Sequence, residues 1–222
     1  MFKPSAILLI LVVTTMFLNS CSMANASAVA IPDPKLDSAL APKPTEQTAV
    51  FAGGCFWGVE AVFDRVKGVV KAQSGYAGGS ADTAKYYTVA SGSTDHAESV
   101  RITYDASQIT YGQLLKVFFA VAHDPTELNR QGPDVGPQYR SAIFYTNEEQ
   151  KRIAESYIQQ LDQVKAFDNR IVTQVVPLDH FYQAEDYHQN YLVNHPNEPY
   201  IVYNDMPKLA NLRKLLPKLY KE

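Results

Sequence analysis

Hydrophobic and polar positions begin to alternate with a clear period at Thr48. The run TAVFAGG reads as a short strand closing on two glycines, and CFWGVEAVFDRVKG follows with apolar residues at Phe56, Val59, Val62, Phe63 and Val66, the stripe of an amphipathic helix. VVKAQSGYAGG reads as a strand running into a glycine turn, and AESVRITYD alternates at Val100, Ile102 and Tyr104. Between them lies a polar loop with two tyrosines. A helix in YGQLLKVFFAVAH, a loop in DPTELNRQGPDVGPQ and a strand in YRSAIFYT complete the order β-α-β-β-α-β. That order predicts an α+β two-layer sandwich with a ferredoxin-like core, two helices lying on one face of an antiparallel sheet. NEEQKRIAESYIQQLD adds a helix with Asn147 as N-cap and Gln150 at the capping-box position. RIVTQVVP adds a strand, and AEDYHQNYLVNH a short helix stopped by Pro196.

The ends of the chain read differently. MFKPSAILLILVVTTMFLNSC has one lysine, an apolar run from about Ala6 to Leu18, and small residues up to Cys21. This is the layout of a signal peptide over residues 1–21, shorter than a membrane span. LNSC resembles the lipobox of bacterial lipoproteins, which implies acylation at Cys21, a membrane anchor, and export to the cell envelope on the periplasmic side, or secretion if no lipid is added. Residues 22–47 carry Ala, Pro and charge without either period and read as a flexible linker, about 25 to 30 Å across as a coil. The catalytic domain is read as residues 48–204. The lysine-bearing stretch 205–222 is read as a solvated closing helix.

Composition narrows the function classes. A net charge of −3 and a pI near 6.0 leave no basic face for nucleic acid. With Cys21 lipidated, Cys55 would be the one free thiol of an exported chain, where an unpaired thiol is normally retained for its reactivity. Gly53 and Gly54 bring a strand tightly round into a helix start, and Cys55 sits there, where unpaired amides and the helix dipole favour an anion. A thiol starting near 8.5 is expected to fall toward about 7 in that position. The competing reading makes Cys55 a small core residue. Glu98 shares a strand face with Val100 and Ile102, so its carboxyl is either misplaced or buried for a purpose. Phe56 and Trp57 are neighbours on a helix and cannot both face the core, which leaves one to wall a pocket beside the sulfur.

GGCFWGVE, GYAGG, HAESVRITYD, HDPT, RQGPDVGPQYRS and AEDYHQNYL, in that order, are similar to the A-class peptide methionine sulfoxide reductases. The resemblance runs from about Thr48 to Tyr203. It implies thiol-dependent reduction of methionine S-sulfoxide, free or in oxidised proteins, through a sulfenic acid on Cys55. It further implies Glu98 as proton donor, Tyr86 and Tyr139 as partners of the sulfoxide oxygen, and Asp134 as organiser of that oxygen site. Phe56 and Trp57 would hold the ε-methyl, with His188 and Tyr191 on the pocket rim. No cysteine follows Cys55, where many members carry resolving cysteines. The implied reductant is therefore an external thiol, a thioredoxin-like protein or dithiothreitol, with no bound cofactor or metal and a monomeric chain.

Other readings compete. A papain-like cysteine peptidase would pair Cys55 with His188 and Asn204, although no glutamine precedes the cysteine at the required place. A non-enzymatic envelope lipoprotein is a further class. HAE at His96 to Glu98 echoes a zinc-deaminase motif, but lacks the paired cysteines such a site needs.

Overall fold

The computed structural model describes residues 29–222, so the signal-like segment and Cys21 lie outside the described residues. Strand β1 (Glu46–Gly53) leads through Cys55 into helix α1 (Phe56–Asp64), and β2 (Val69–Ala77) follows. Helix α2 (Tyr86–Ala90) is a five-residue piece within the polar loop before β3 (Ala97–Asp105). Helix α3 (Tyr111–Val117) runs directly into a π-helical turn, Phe118–Ala122, and the two-residue strands β4 (Arg130–Gln131) and β5 (Asp134–Val135) pair in the following loop. Strand β6 (Ser141–Tyr145), helix α4 (Glu148–Gln163), β7 (Gln174–Pro177), β8 (Phe181–Gln183), α5 (Tyr191–Asn194) and α6 (Met206–Leu215) complete the chain.

The main sheet has the order β7-β6-β1-β3-β2-β8. Its only parallel pair is β6 with β7; every other neighbour is antiparallel. This is a mixed α+β fold. Alternation sorts the strands onto two faces: Ala49, Phe51, Val100 and Ile102 join Phe56, Val62, Leu114 and Phe118 in the main core, while Val50, Ala52, Ala97 and Phe144 form a smaller cluster.

Helix α3 begins on a capping box in which the Thr110 side chain takes the Gln113 N–H and the Gln113 side chain takes the Thr110 N–H. In α4 the Asn147 side chain accepts from the Gln150 N–H as expected, but the Gln150 amide does not return to the cap. Its oxygen takes the Thr146 N–H and its nitrogen donates to the Thr48 carbonyl, stitching helix to sheet. The helix predicted over 184–195 is interrupted: Asp186–His188 is a 3₁₀ turn, Asn190 takes a left-handed conformation (φ 55°), and only Tyr191–Asn194 is α-helical. Strand β8 went unread because three residues are too few to show a period.

The expected flexible linker is a correction from Val29 onward. Residues 29–45 lie bound along the body: the Val29 N–H donates to the Ala120 carbonyl, the Tyr157 hydroxyl to the Pro32 carbonyl, and the Ala41 N–H to the Ala106 carbonyl. Gln160 receives the Lys35 N–H and donates to the Asp33 carbonyl. The Asp37 carboxylate caps α3 by accepting from Gly112 N–H (2.7 Å) and the Thr110 hydroxyl. These are single polar contacts at irregular spacing, and Ile31 is the only buried apolar side chain of the segment, so no periodic signal exists.

The tail is likewise part of the body. Leu212 is buried, Val66 bridges to Tyr220, and the Lys221 N–H donates to the Arg65 carbonyl.

Candidate active site

Cys55 is the N-cap of α1, delivered by the tight turn at Gly53 and Gly54. Gly54 sits at φ 87°, and a Cβ there would stand 2.5 Å from the Gln131 side chain, so the turn requires glycine. The first turn of α1 lies beside two acids, the Cys55 thiol and the Glu98 carboxyl. The Phe56 N–H donates to Glu98 Oε2 at 3.1 Å, and the Trp57 backbone amide favours the ionised form of the Cys55 thiol. Glu98, from β3, is 2% exposed. Burial raises its pKa from the ordinary carboxylate value of 4.5 to about 8, opposed in part by the Phe56 hydrogen bond, so the carboxyl is protonated at neutral pH.

The anionic thiol expected from the helix N-terminus is a correction. Burial, with the Glu98 and Asp205 carboxyls adding to it, pushes the Cys55 thiol well above its ordinary value; the Trp57 amide lowers it only in part. Desolvation outweighs the dipole here because the helix end is covered and one of its amides is already given to Glu98. The resting pair is a neutral thiol beside a neutral carboxyl.

A ring of aromatic groups surrounds the pair. Phe56 is buried and its ring lies 5.0 Å from the His188 ring; Trp57 is half-buried and stacks on Tyr191 with centroids 3.7 Å apart and planes 7° from parallel. The Trp57 indole N–H donates to His188 Nδ1 at 3.1 Å. Tyr86, half-buried at the start of α2, lies 4.4 Å from the His188 ring. Burial first, then the nearness of the ionisable Glu98 and Cys55, raise its phenol pKa, and Tyr139 is raised by burial, Glu98, Asp134 and Cys55. The structure thus gathers Cys55, Phe56, Trp57, Tyr86, Glu98, Asp134, Tyr139, His188 and Tyr191 around one place.

A family match to Peptide methionine sulfoxide reductase spans residues 47–219. The chain belongs to this family. Peptide methionine sulfoxide reductase MsrA 2 of Mesorhizobium japonicum is 61% identical over 179 residues, covering 81% of this chain and 92% of that protein. The protein of the same name from Synechocystis sp. is 54% identical over 187 residues, with 83% and 87% covered. Among solved structures, reduced Mxr1 of Saccharomyces cerevisiae superposes with a TM-score of 0.62 at 34% identity, covering 73% of this chain and 92% of that one. Methionine sulfoxide reductase A of Corynebacterium diphtheriae gives 0.59 at 35% identity, covering 78% and 87%.

As a member of the peptide methionine sulfoxide reductase family, the chain holds its histidine in a way that excludes the peptidase arrangement. His188 Nδ1 is occupied by Trp57, and the Asn204 amide donates to the Tyr200 carbonyl rather than to a histidine. Membership also removes the non-enzymatic lipoprotein reading. The family match continues to residue 219, past the boundary set at 204.

Sequence reasoning missed several groups at the site. The Tyr200 hydroxyl donates to Asp134 Oδ2, and Tyr200 stands edge-on to Trp57 at 5.9 Å. Asp205, fully buried, pairs with Lys208 at 3.1 Å and packs against α1 so closely that a Cβ at Gly58 would lie 2.1 Å from its Oδ1. Lys208 is 5% exposed, although it belongs to the stretch read as solvated. The i,i+3 spacing of Asp205 and Lys208 is also that of an ordinary surface pair, so sequence carried no sign of burial. Glu60, one turn into α1, takes the Ser74 hydroxyl at 2.7 Å and the Asn190 N–H at 3.1 Å, fixing the corner that presents Tyr191.

Proposed function

We propose that this chain reduces methionine S-sulfoxide, in oxidised proteins or as the free amino acid, with electrons from an external thiol. The observation that carries the reading is the helix start at which a buried, protonated carboxyl takes the Phe56 N–H at 3.1 Å, next in the chain to the Cys55 thiol that caps α1. Sulfoxide oxygen is a poor leaving group until it is protonated, so an acid beside the nucleophile contributes about 10² to 10⁴ in rate. The Cys55 sulfur attacks the sulfoxide sulfur while Glu98 gives its proton to the oxygen. The substrate's sulfur–oxygen bond then breaks, the oxygen ends on Cys55 as a sulfenic acid, methionine leaves, and the thiol proton restores Glu98. Because the resting thiol is neutral, its proton is lost only as the sulfoxide begins to accept one.

Tyr86 and Tyr139 hydrogen-bond the sulfoxide oxygen, with Asp134 organising that side. Phe56 and Trp57 receive the methyl, with Tyr191 and His188 holding the indole. Two thiols from outside the chain, of the thioredoxin-like kind or dithiothreitol, then return Cys55 to the thiol, releasing water and a disulfide; Cys55 is the only cysteine among the described residues. We further propose an exported monomer anchored to the envelope membrane through Cys21.

The test is reduction of resolved sulfoxide epimers of N-acetylmethionine with dithiothreitol. The S epimer is expected to react and the R epimer to remain. Equal rates on both would overturn the assignment of epimer.

A further inference from the structure

We propose that Glu185 is a positioning residue that sets Tyr86 against the sulfoxide oxygen, by tying the first residue of α2 to the buried strand beside Glu98. The inference rests on the role given to Tyr86 above. Helix α2 has only five residues and its N-cap, Lys85, offers no side-chain cap, so the helix cannot fix its own first turn. Its start is held from another part of the chain: Glu185 Oε1 accepts the Tyr86 N–H at 2.9 Å. The other oxygen, Oε2, accepts the Tyr76 hydroxyl at 2.9 Å.

Tyr76 is fully buried on β2, directly opposite Glu98 in the β2–β3 register, and its ring lies 5.9 Å from Phe56. The carboxylate thus spans from the strand next to the acid to the residue that carries the phenol. The Glu185 backbone joins in, since its carbonyl accepts the His188 N–H at 2.9 Å and starts the turn that presents His188. At the far end α2 is held by the Gln138 amide on the Ala90 carbonyl at 3.1 Å. With both ends tied, the backbone that carries Tyr86 is held in place, and its ring lies 4.4 Å from His188. Glu185 itself acts through Tyr86 and donates no proton to the reaction.

The test is a double-mutant cycle on the full chain with N-acetylmethionine S-sulfoxide. Misplacing one oxygen partner by about 1 Å can cost about 100-fold, so Glu185→Ala is expected to lower kcat by about 10- to 100-fold and to change KM by less than about 3-fold. In a Tyr86→Phe background the same substitution is expected to cost less than about 3-fold, because the hydroxyl it positions is gone. Glu185→Gln should restore most of the activity, since its amide oxygen can take the Tyr86 N–H while its nitrogen donates to the Tyr76 hydroxyl.

Tyr76→Phe, which frees one end of the tie without touching Tyr86, should lower kcat in the same direction but less, and it reads the proposal if Glu185→Ala fails to fold. A full loss that persists in Tyr86→Phe, a glutamine variant as impaired as alanine, or an effect confined to KM would overturn the proposal. Failure of the reaction scheme itself would show separately, as activity retained in Cys55→Ser or Glu98→Gln.

Discussion

Glu98→Gln separates the chemistry of the site from its contribution to stability, and the two should move in opposite directions. The amide keeps the side chain's shape and can still accept the Phe56 N–H, but has no acidic proton to give. Loss of a general acid removes about 10² to 10⁴ in rate, or about 3 to 5 kcal/mol of barrier at 1.36 kcal/mol per decade. The loss should fall on single-turnover reduction, with KM little changed.

Stability follows from the raised pKa. Below about 4.5 the carboxyl is protonated in both the folded and the unfolded chain and imposes no pH-dependent cost. As pH rises toward about 8 the unfolded chain ionises while the folded one holds its proton, so this stability is lost progressively. At 1.36 kcal/mol per pH unit, the wild type should lose about 3 kcal/mol relative to Glu98→Gln between pH 4.5 and pH 7, and about 4 kcal/mol by pH 8. Any fixed cost of burying the amide shifts both ends of that comparison equally. Urea denaturation of the two proteins across that range measures the difference. The wild-type rate should also fall above pH 8 as the acid ionises. A stability difference that is flat with pH, or a variant within tenfold of wild-type turnover, would refute the reasoning.

Two further predictions address the N-terminal segment. Asp37→Ala leaves the Thr110–Gln113 capping box but removes the acceptor of the Gly112 N–H and of the Thr110 hydroxyl, which should cost about 1 to 2 kcal/mol and lower the Tm by about 2 to 8 °C with kcat unchanged; an unshifted Tm in a melting scan would mean that the segment does not brace the helix. The proposed anchor predicts a mature chain beginning at a lipid-modified Cys21, read by mass spectrometry of the N-terminus of protein purified from membranes, and an unmodified or differently cut N-terminus would contradict it.

What could be read from sequence was whatever repeats or alternates. The strand carrying Glu98 showed its inward face through Val100 and Ile102, and α1 showed its stripe from Phe56 to Val66, through patterns of period 2 and 3.6; that Cys55 and Glu98 meet was implied by the motif resemblance and not by either period. The capping signal at Asn147 was correct because it is local. Contacts made by one polar atom at a time left no period: Asp37 on α3, Gln160 on Lys35 and Asp33, Glu185 on Tyr76 and Tyr86. Burial was the second thing hidden. It turns Lys208 from a surface charge into the buried partner of Asp205, and it turns the Cys55 thiol from an acid strengthened by a helix into one weakened by its surroundings. Both reversals depend on how much of the chain lies over a residue, which spacing alone does not report.

The account is tested most directly by following the oxygen. One equivalent of N-acetylmethionine S-sulfoxide, added without reductant, should yield about one N-acetylmethionine per protein and one sulfenic acid, located at Cys55 by mass spectrometry as the thioether it forms with a 1,3-diketone, the transferred oxygen leaving as water. Glu98→Gln should form the same adduct far more slowly. Methionine released with Cys55 still unmodified, or released at wild-type rate by Cys55→Ser, would contradict the central claim.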